Sequence, residues 1–416
     1  MILLWKLLLL LLLLGGSQVA SSTSVLEEIE QHLKRINRPP VKTIESPDGD
    51  IIDCILIQHQ PAFDHPGLRG STAKACLLLS FTLTEMKTFD ESRPVSHQHR
   101  LQSLEQRSFQ LWQQHGRCPS GTIPQRRTTT KDILRFGGSA RKYGRKSHRS
   151  AHHRKFNSSF IPPGANGVSM SHEHAIAYVQ GGEYYGARAS INVWNPAVEG
   201  NSEFSLSQVW ILSGSIGNSI EAGWQVFPGM YGDQYPRLFI YWTSDSYQAT
   251  GCYNLLCSGF VQTSTEILIG GAIAPSSSSD GTQYDISILI WKDPQEGNWW
   301  LEYGDRIVGY WPAFLFTELA SSASVVEWGG EVVNTRPQGK HTSTKMGSGM
   351  YADAGFSRAS YFRDLRVVNE RNSLQLPSNL QTYAAHPNCY NIIQGIDKMW
   401  GSFFYYGGPG NSPNCP

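Results

Sequence analysis

After about residue 165 the chain is a succession of short β-branched and aromatic runs broken by turn residues. Examples are HAIAYVQ, ARASINVWN, FSLSQVWILSG, SIEAGWQVF, RLFIYWTS, YDISILIWK, NWWLEYG and SVVEWGGEVVN. Convincing helical periodicity is absent, and several runs alternate strictly between apolar and polar positions. Strands of this length and spacing pack as a two-sheet antiparallel β-sandwich, jelly-roll-like, or as a barrel. Strict alternation means that one face of a strand enters the core while the other lines a surface or cleft. The roughly 250 residues from 165 to 416 suffice for one large all-β domain.

The N-terminal part differs. Residues 1–20, MILLWKLLLLLLLLGGSQVA, place Lys6 before an unbroken leucine run and then small residues. That run is shorter than the ~20 residues a membrane span needs, and it reads as a cleaved secretory signal peptide. No later stretch is long and apolar enough to span a bilayer. Residues 21–136 read as a smaller α+β region. It opens with a helix within 24–40, capped by Ser24 with Glu27, carrying Leu26, Ile29, Leu33 and Ile36 on one face. Pro39 and Pro40 stop it. A strand is expected over 51–57. Residues 137–164 read as an exposed, flexible basic linker: residues 126–155 hold eleven Lys/Arg against one acid, Asp132. Such a linker suits proteolytic nicking, and Asn157 opens a glycosylation sequon. The net charge of +1 gives no bias toward nucleic acid.

The usual hydrolase signatures are missing. There is no G-x-S-x-G elbow, no Asp-Thr-Gly or Asp-Ser-Gly loop and no HExxH. His172 and His174 in SHEHA would share a strand face and could touch a metal, but a third ligand is not apparent, so no metal or other cofactor is expected. Two carboxylates remain. Glu221 in SIEAGWQV and Glu331 in WGGEVV each face away from an aromatic and aliphatic stripe. Each has glycine two positions off on its own face. Glycine there lets another backbone or a ligand come close. Two such strands could bring two glutamates together, one ionised to take a proton from water and one neutral to donate. Gln225 and Gln208 are candidates to stabilise a developing oxyanion. Glu302 and Glu318 are the rival carboxylates.

The motifs IEAGWQV, YWTSD, GCYN, GNWWL, GYWP, WGGEVVN, HTSTKMGSG, ASYFR and YYGGPG occur in the C-terminal part. EEIEQHLKRIN, SPDGDIIDC, QPAFDHP and CPSGTIPQRRT occur in the N-terminal part. By these the chain resembles the neprosin family of plant secreted proteins almost end to end. The resemblance implies a zymogen of an acid-active glutamic endopeptidase that cleaves after proline. Its β-sandwich peptidase domain, residues 165–416, would carry Glu221 and Glu331 as the catalytic pair. It implies disulfides Cys252–Cys257, Cys389–Cys415 and Cys54–Cys118, with Cys76 left over. It also implies a residue 21–136 activation domain acting as intramolecular inhibitor, proline-containing peptide substrates, a monomer and a secreted address, apoplast or vacuole. Aromatic walls suit proline rings, and Tyr241 and Trp242 are cleft candidates. Self-release is expected after Pro162 or Pro163. Residues 67–100 depart from the family pattern. A glycan-binding or glycan-hydrolysing wall protein, or a catalytically silent member, is the rival expectation.

Overall fold

The computed structural model describes residues 25–69, 93–94, 106–146, 171–213, 217–337 and 339–416. The expected signal peptide, Cys76, Asn157, Pro162, Pro163 and most of the divergent stretch 67–100 lie outside the described residues.

Two large sheets dominate. The first runs edge to edge as β11 (Cys252–Tyr253), β10 (Arg237–Thr243), β9 (Asn218–Val226), β8 (Ser205–Ser213), β17 (Ala323–Asn334), β6 (Ser171–Tyr184) and β20 (Gln381–Ala384). The second runs β12 (Val261–Gln262), β16 (Arg306–Trp311), β15 (Trp299–Tyr303), β14 (Tyr284–Lys292), β7 (Gly186–Asn192), β18 (Ser360–Val368), β22 (Gly401–Gly407) and β21 (Asn391–Asp397). Two short strands join it: β19 (Leu374–Gln375) pairs β18, and β3 (Gln106–Arg107) lies parallel to β14. Pairing within both large sheets is otherwise antiparallel.

The alternation read from sequence fixes which side chains meet. Ile220, Ala222, Trp224 and Val226 of β9 and Val326, Trp328 and Val332 of β17 enter the core between the sheets. There they face Ile286, Ile288 and Ile290 of β14 and Ala187, Ala189 and Ile191 of β7. The opposite face of the first sheet carries Leu206, Trp210, Phe239, Tyr241, Tyr253 and Val333, a second apolar cluster.

The N-terminal region lies against that second face. Its helix α1 spans residues 25–36. Ile29 and Ile36 are buried and Leu33 is half-buried, but Leu26 is exposed, because the cluster that receives the helix ends one turn short of it. A three-stranded sheet follows: β1 (Pro40–Glu45), β2 (Ile51–Leu56) and β5 (Thr122–Arg126). Cys54–Cys118 ties it internally. Helix α2 (Thr130–Arg135) carries a full capping box, Thr129 with Asp132. Strand β4 (Phe109–Gln110) pairs with β13 (Ile273–Ala274) of the sandwich.

Side chains extend this joint. The Gln110 amide donates to the Leu268 carbonyl at 2.6 Å and accepts from its N–H at 2.7 Å. Gln60 does the same to Gln262, at 3.1 and 2.7 Å. Arg237 of β10 is completely buried. It meets Asp48 and Asp50 of the N-terminal region at 3.1 and 2.5 Å, and Asp233 at 2.5 Å.

The start of the basic stretch is not an exposed linker. Ala140 and Tyr143 are buried with Ile29, Ile36 and Ile133. Phe136 packs against Tyr143 and against Phe227 of the sandwich. Two aromatic anchors therefore pull a highly charged segment onto the protein. Cys252–Cys257 and Cys389–Cys415 are bridged. Among the described residues no helix is long and apolar enough to cross a membrane.

Candidate active site

Three central strands of the first sheet set the geometry. Gln208 of β8 stands opposite Gly223 of β9 on one side and Gly329 of β17 on the other. One step along, Trp210 opposes Glu221; one step the other way, Leu206 opposes Glu331. The two glutamates therefore share a face and flank Gln208 diagonally, across a floor kept low by glycine. On ideal sheet spacing their Cα atoms are roughly 16 Å apart, with both side chains projecting from the same face. A Cβ at Gly223 would sit 2.0 Å from the Ser207 carbonyl oxygen, and one at Gly329 would sit 2.3 Å from that of Ala175. Both positions need glycine because a neighbouring backbone approaches so closely.

Both carboxylates are buried. Glu221 Oε1 accepts from Ser219 Oγ and Tyr247 Oη, each at 2.7 Å. Its Oε2 accepts from Gln208 Nε2 at 3.1 Å and from Lys146 Nζ at 2.5 Å. Burial first, and then the Glu221 charge, push the Tyr247 phenol well above its ordinary range, so it remains a donor. Glu331 Oε1 is hydrogen-bonded to His172 Nδ1, and His174 Nε2 lies 3.8 Å from Oε2. Burial pulls the Glu331 carboxyl upward. The charge and hydrogen bond of His172 outweigh it, helped by His174 and Lys146, and hold the group down at about 2. The charge of Lys146 thus reaches both glutamates, and the Tyr247 and Tyr253 hydroxyls feel both carboxylates. The two groups belong to one electrostatic environment.

Lys146 is the residue that reading the sequence missed. Its ammonium lies over the rings of Tyr241, Tyr247 and Tyr253, at 4.7, 5.2 and 5.8 Å from their centroids. The backbone leading to it is pinned: the Tyr253 N–H donates to the Gly144 carbonyl at 2.8 Å, and the Lys146 N–H donates to the Tyr241 hydroxyl at 3.3 Å. Gly144 adopts φ +78°, and a Cβ there would lie 2.7 Å from Leu256. The Tyr-Gly pair before the lysine was the available signal.

The other candidates fall as follows. Tyr241 stands beside Glu221 on the same face, under Lys146. Trp242 points to the core side, edge-on to Phe316, because it follows Tyr241 by one position. Gln225 shares the face of Glu221, but its amide donates to Tyr231 at 2.9 Å beneath the short helix α3 (Pro228–Tyr231). Glu302 is on the second sheet, paired with Arg93 at 2.7 Å. Glu318 accepts from the Ser213 hydroxyl.

The family model described as Neprosin matches residues 201–409, and the model described as Neprosin activation peptide matches residues 43–178. Among solved structures the chain is similar to Scytalido-glutamic peptidase with a peptide-based transition state analog (11% identity, TM-score 0.30, 58% of this chain and 99% of that one). It is also similar to SCP-B, a member of the Eqolisin family of peptidases in complex with the tripeptide Ala-Ile-His (11% identity, TM-score 0.28, 58% and 99%). A third likeness is to CG-16, a homodimeric agglutinin from chicken liver (7% identity, TM-score 0.22, 38% and 96%). With both models matched, the first over half of its length, the chain belongs to the neprosin family.

Proposed function

We propose that this protein is the secreted zymogen of an acid-active glutamic endopeptidase that cleaves after proline, with Glu221 and Glu331 as its catalytic pair. The observation that carries the reading is the floor of the first sheet: two buried carboxylates flank Gln208 over two glycines. On this reading a water and the scissile carbonyl bind between them once the N-terminal region has left. One carboxylate takes a proton from the water while the other, protonated, donates to the carbonyl oxygen or the leaving nitrogen. Gln208, already bonded to Glu221, is the amide best placed to steady the developing oxyanion.

The N-terminal region acts as the intramolecular inhibitor, and Lys146 is its contact with the chemistry. An ammonium that pairs with Glu221 in a cage of three tyrosines occupies the place a substrate needs. Release requires a cut between 147 and 170. Cleavage after Pro162 or Pro163 by the enzyme itself fits a post-proline specificity. N-terminal sequencing of acid-treated protein should find a start near 163 or 164; a start far from 155–170 would count against self-release.

The test of the function is hydrolysis of a proline-containing peptide by processed protein at about pH 3–5, where one proton should be shared by such a pair. Glu221→Gln and Glu331→Gln should each lower the rate by about 10²–10⁴-fold. Full activity in both variants would end the proposal. Cleavage of a plant polysaccharide without peptide hydrolysis would favour a glycan-active protein instead.

A further inference from the structure

We infer that Glu331 is the base and Glu221 the acid of the pair, and that His172 is the positioning residue that fixes this division; the inference rests on the peptidase reading above. Strand register supplies the geometry. β6 runs beside β17 with His174 opposite Glu331 and His172 opposite Val333. Both histidines point to the face of Glu331, so each of its oxygens has an imidazole nearby. The His172 hydrogen bond is nearly sealed from solvent, with side chains 7% and 5% exposed. Phe204 lies edge-on to the His172 ring, 5.9 Å away between centroids. His174 lies near Trp210 at 6.2 Å.

The two carboxylates differ in which partners remain after activation. The cationic partner of Glu221 is Lys146, which belongs to the N-terminal region and leaves with it. What stays is Ser219, Tyr247 and Gln208, all neutral donors. A buried carboxyl among neutral groups holds its proton more readily than one held by cations. The partners of Glu331 are on β6, within the sandwich, and they stay. The charged and titratable groups around Glu331 are His172 and His174 from β6, Lys146 before activation, Glu221 across Gln208, the Tyr247 and Tyr253 hydroxyls, and Glu327 four positions along its own strand.

The reaction then balances in two steps. Glu331 takes a proton from water as the water oxygen bonds to the carbonyl carbon, and the carbonyl oxygen takes the proton of Glu221, giving a gem-diol. The C–N bond then breaks as the nitrogen takes the proton from Glu331 and one diol hydroxyl returns its proton to Glu221. Both glutamates end as they began.

The experiment is the pH profile of kcat/KM for processed enzyme with His172 intact, as His172→Asn and as His172→Leu. Loss of the His172 imidazole should move the acid limb upward by about 1–3 pH units, more in His172→Leu than in His172→Asn, which keeps a donor, and should leave the alkaline limb in place. An unmoved acid limb, or a moved alkaline limb, overturns the assignment. Carboxyl ¹³C titration gives a second reading should the leucine variant fail to fold. In processed protein with His172 intact, Glu331 (observed in Glu221→Gln) should titrate below Glu221 (observed in Glu331→Gln); the reverse order overturns the assignment. If both glutamine variants still hydrolyse peptide at the full rate, the peptidase reading fails instead, whatever the titrations give.

Discussion

Replacing Lys146 with methionine removes the charge of the latch while keeping much of its length. The ammonium sits 2.5 Å from Glu221, with the lysine side chain 8% and the glutamate 0% exposed. Taking away one member of a buried pair costs about 3–5 kcal/mol, because the other charge is left uncompensated. Glu221 keeps Ser219, Tyr247 and Gln208, so the low end, about 3 kcal/mol, applies. The assay is dissociation of the N-terminal segment from protein nicked within 147–170. At about 1.4 kcal/mol per tenfold, its Kd should rise roughly 100-fold. The same exchange in a Glu221→Gln background leaves no charge behind and should raise Kd by less than about tenfold. An equal rise in both backgrounds would mean that Lys146 holds the segment by packing alone, and the ion-pair reasoning would fail.

Arg237→Gln should weaken the same docking by about 3 kcal/mol or more, since Asp48, Asp50 and Asp233 lose their shared buried cation; an unchanged Kd for the nicked segment would contradict this. Acid should destabilise the fold of the N-terminal region. Burial raises the Asp132 carboxyl, but Arg126, Thr129 and Arg135 together hold it below its ordinary 3.8. Its contribution to folding is therefore full above that value and lost as pH falls through the lowered one, and Asp132→Asn should flatten the dependence of the thermal midpoint on pH in that window; an unchanged dependence would contradict this. Gly329→Ala should depress the thermal midpoint, because its φ of +151° is strained for alanine and its Cβ would lie 2.3 Å from a backbone oxygen; an unchanged midpoint would show that the strand moves aside cheaply.

Local patterns carried as far as the sheet face. The alternation through Ile220–Val226 and Val326–Val332 named the core residues and, by exclusion, put Glu221 and Glu331 on the other face. The glycines beside them marked a close approach, which proved to be the backbone of neighbouring strands. What could not be read locally was register. His172 meets Glu331 across 159 positions, through a pairing between β6 and β17 that no window of sequence contains. Lys146 was hidden for a different reason. It stands among lysines and arginines whose composition is that of a solvated chain, and its Tyr143 anchor makes sense only once Ile29, Ile133 and Phe136 are assembled around it. Trp242 shows the reverse error: an aromatic next to a site residue in sequence is on the opposite face of a strand in space.

The most direct measurement is a crystal structure of processed protein holding a peptide whose scissile carbonyl is replaced by a tetrahedral diol mimic. A shared hydrolytic pair requires one mimic oxygen within hydrogen-bond distance of Glu221 and the other within that distance of Glu331, with the tyrosine cage vacated by Lys146. A mimic bound elsewhere, or touching one glutamate while the other stays out of reach, would contradict it.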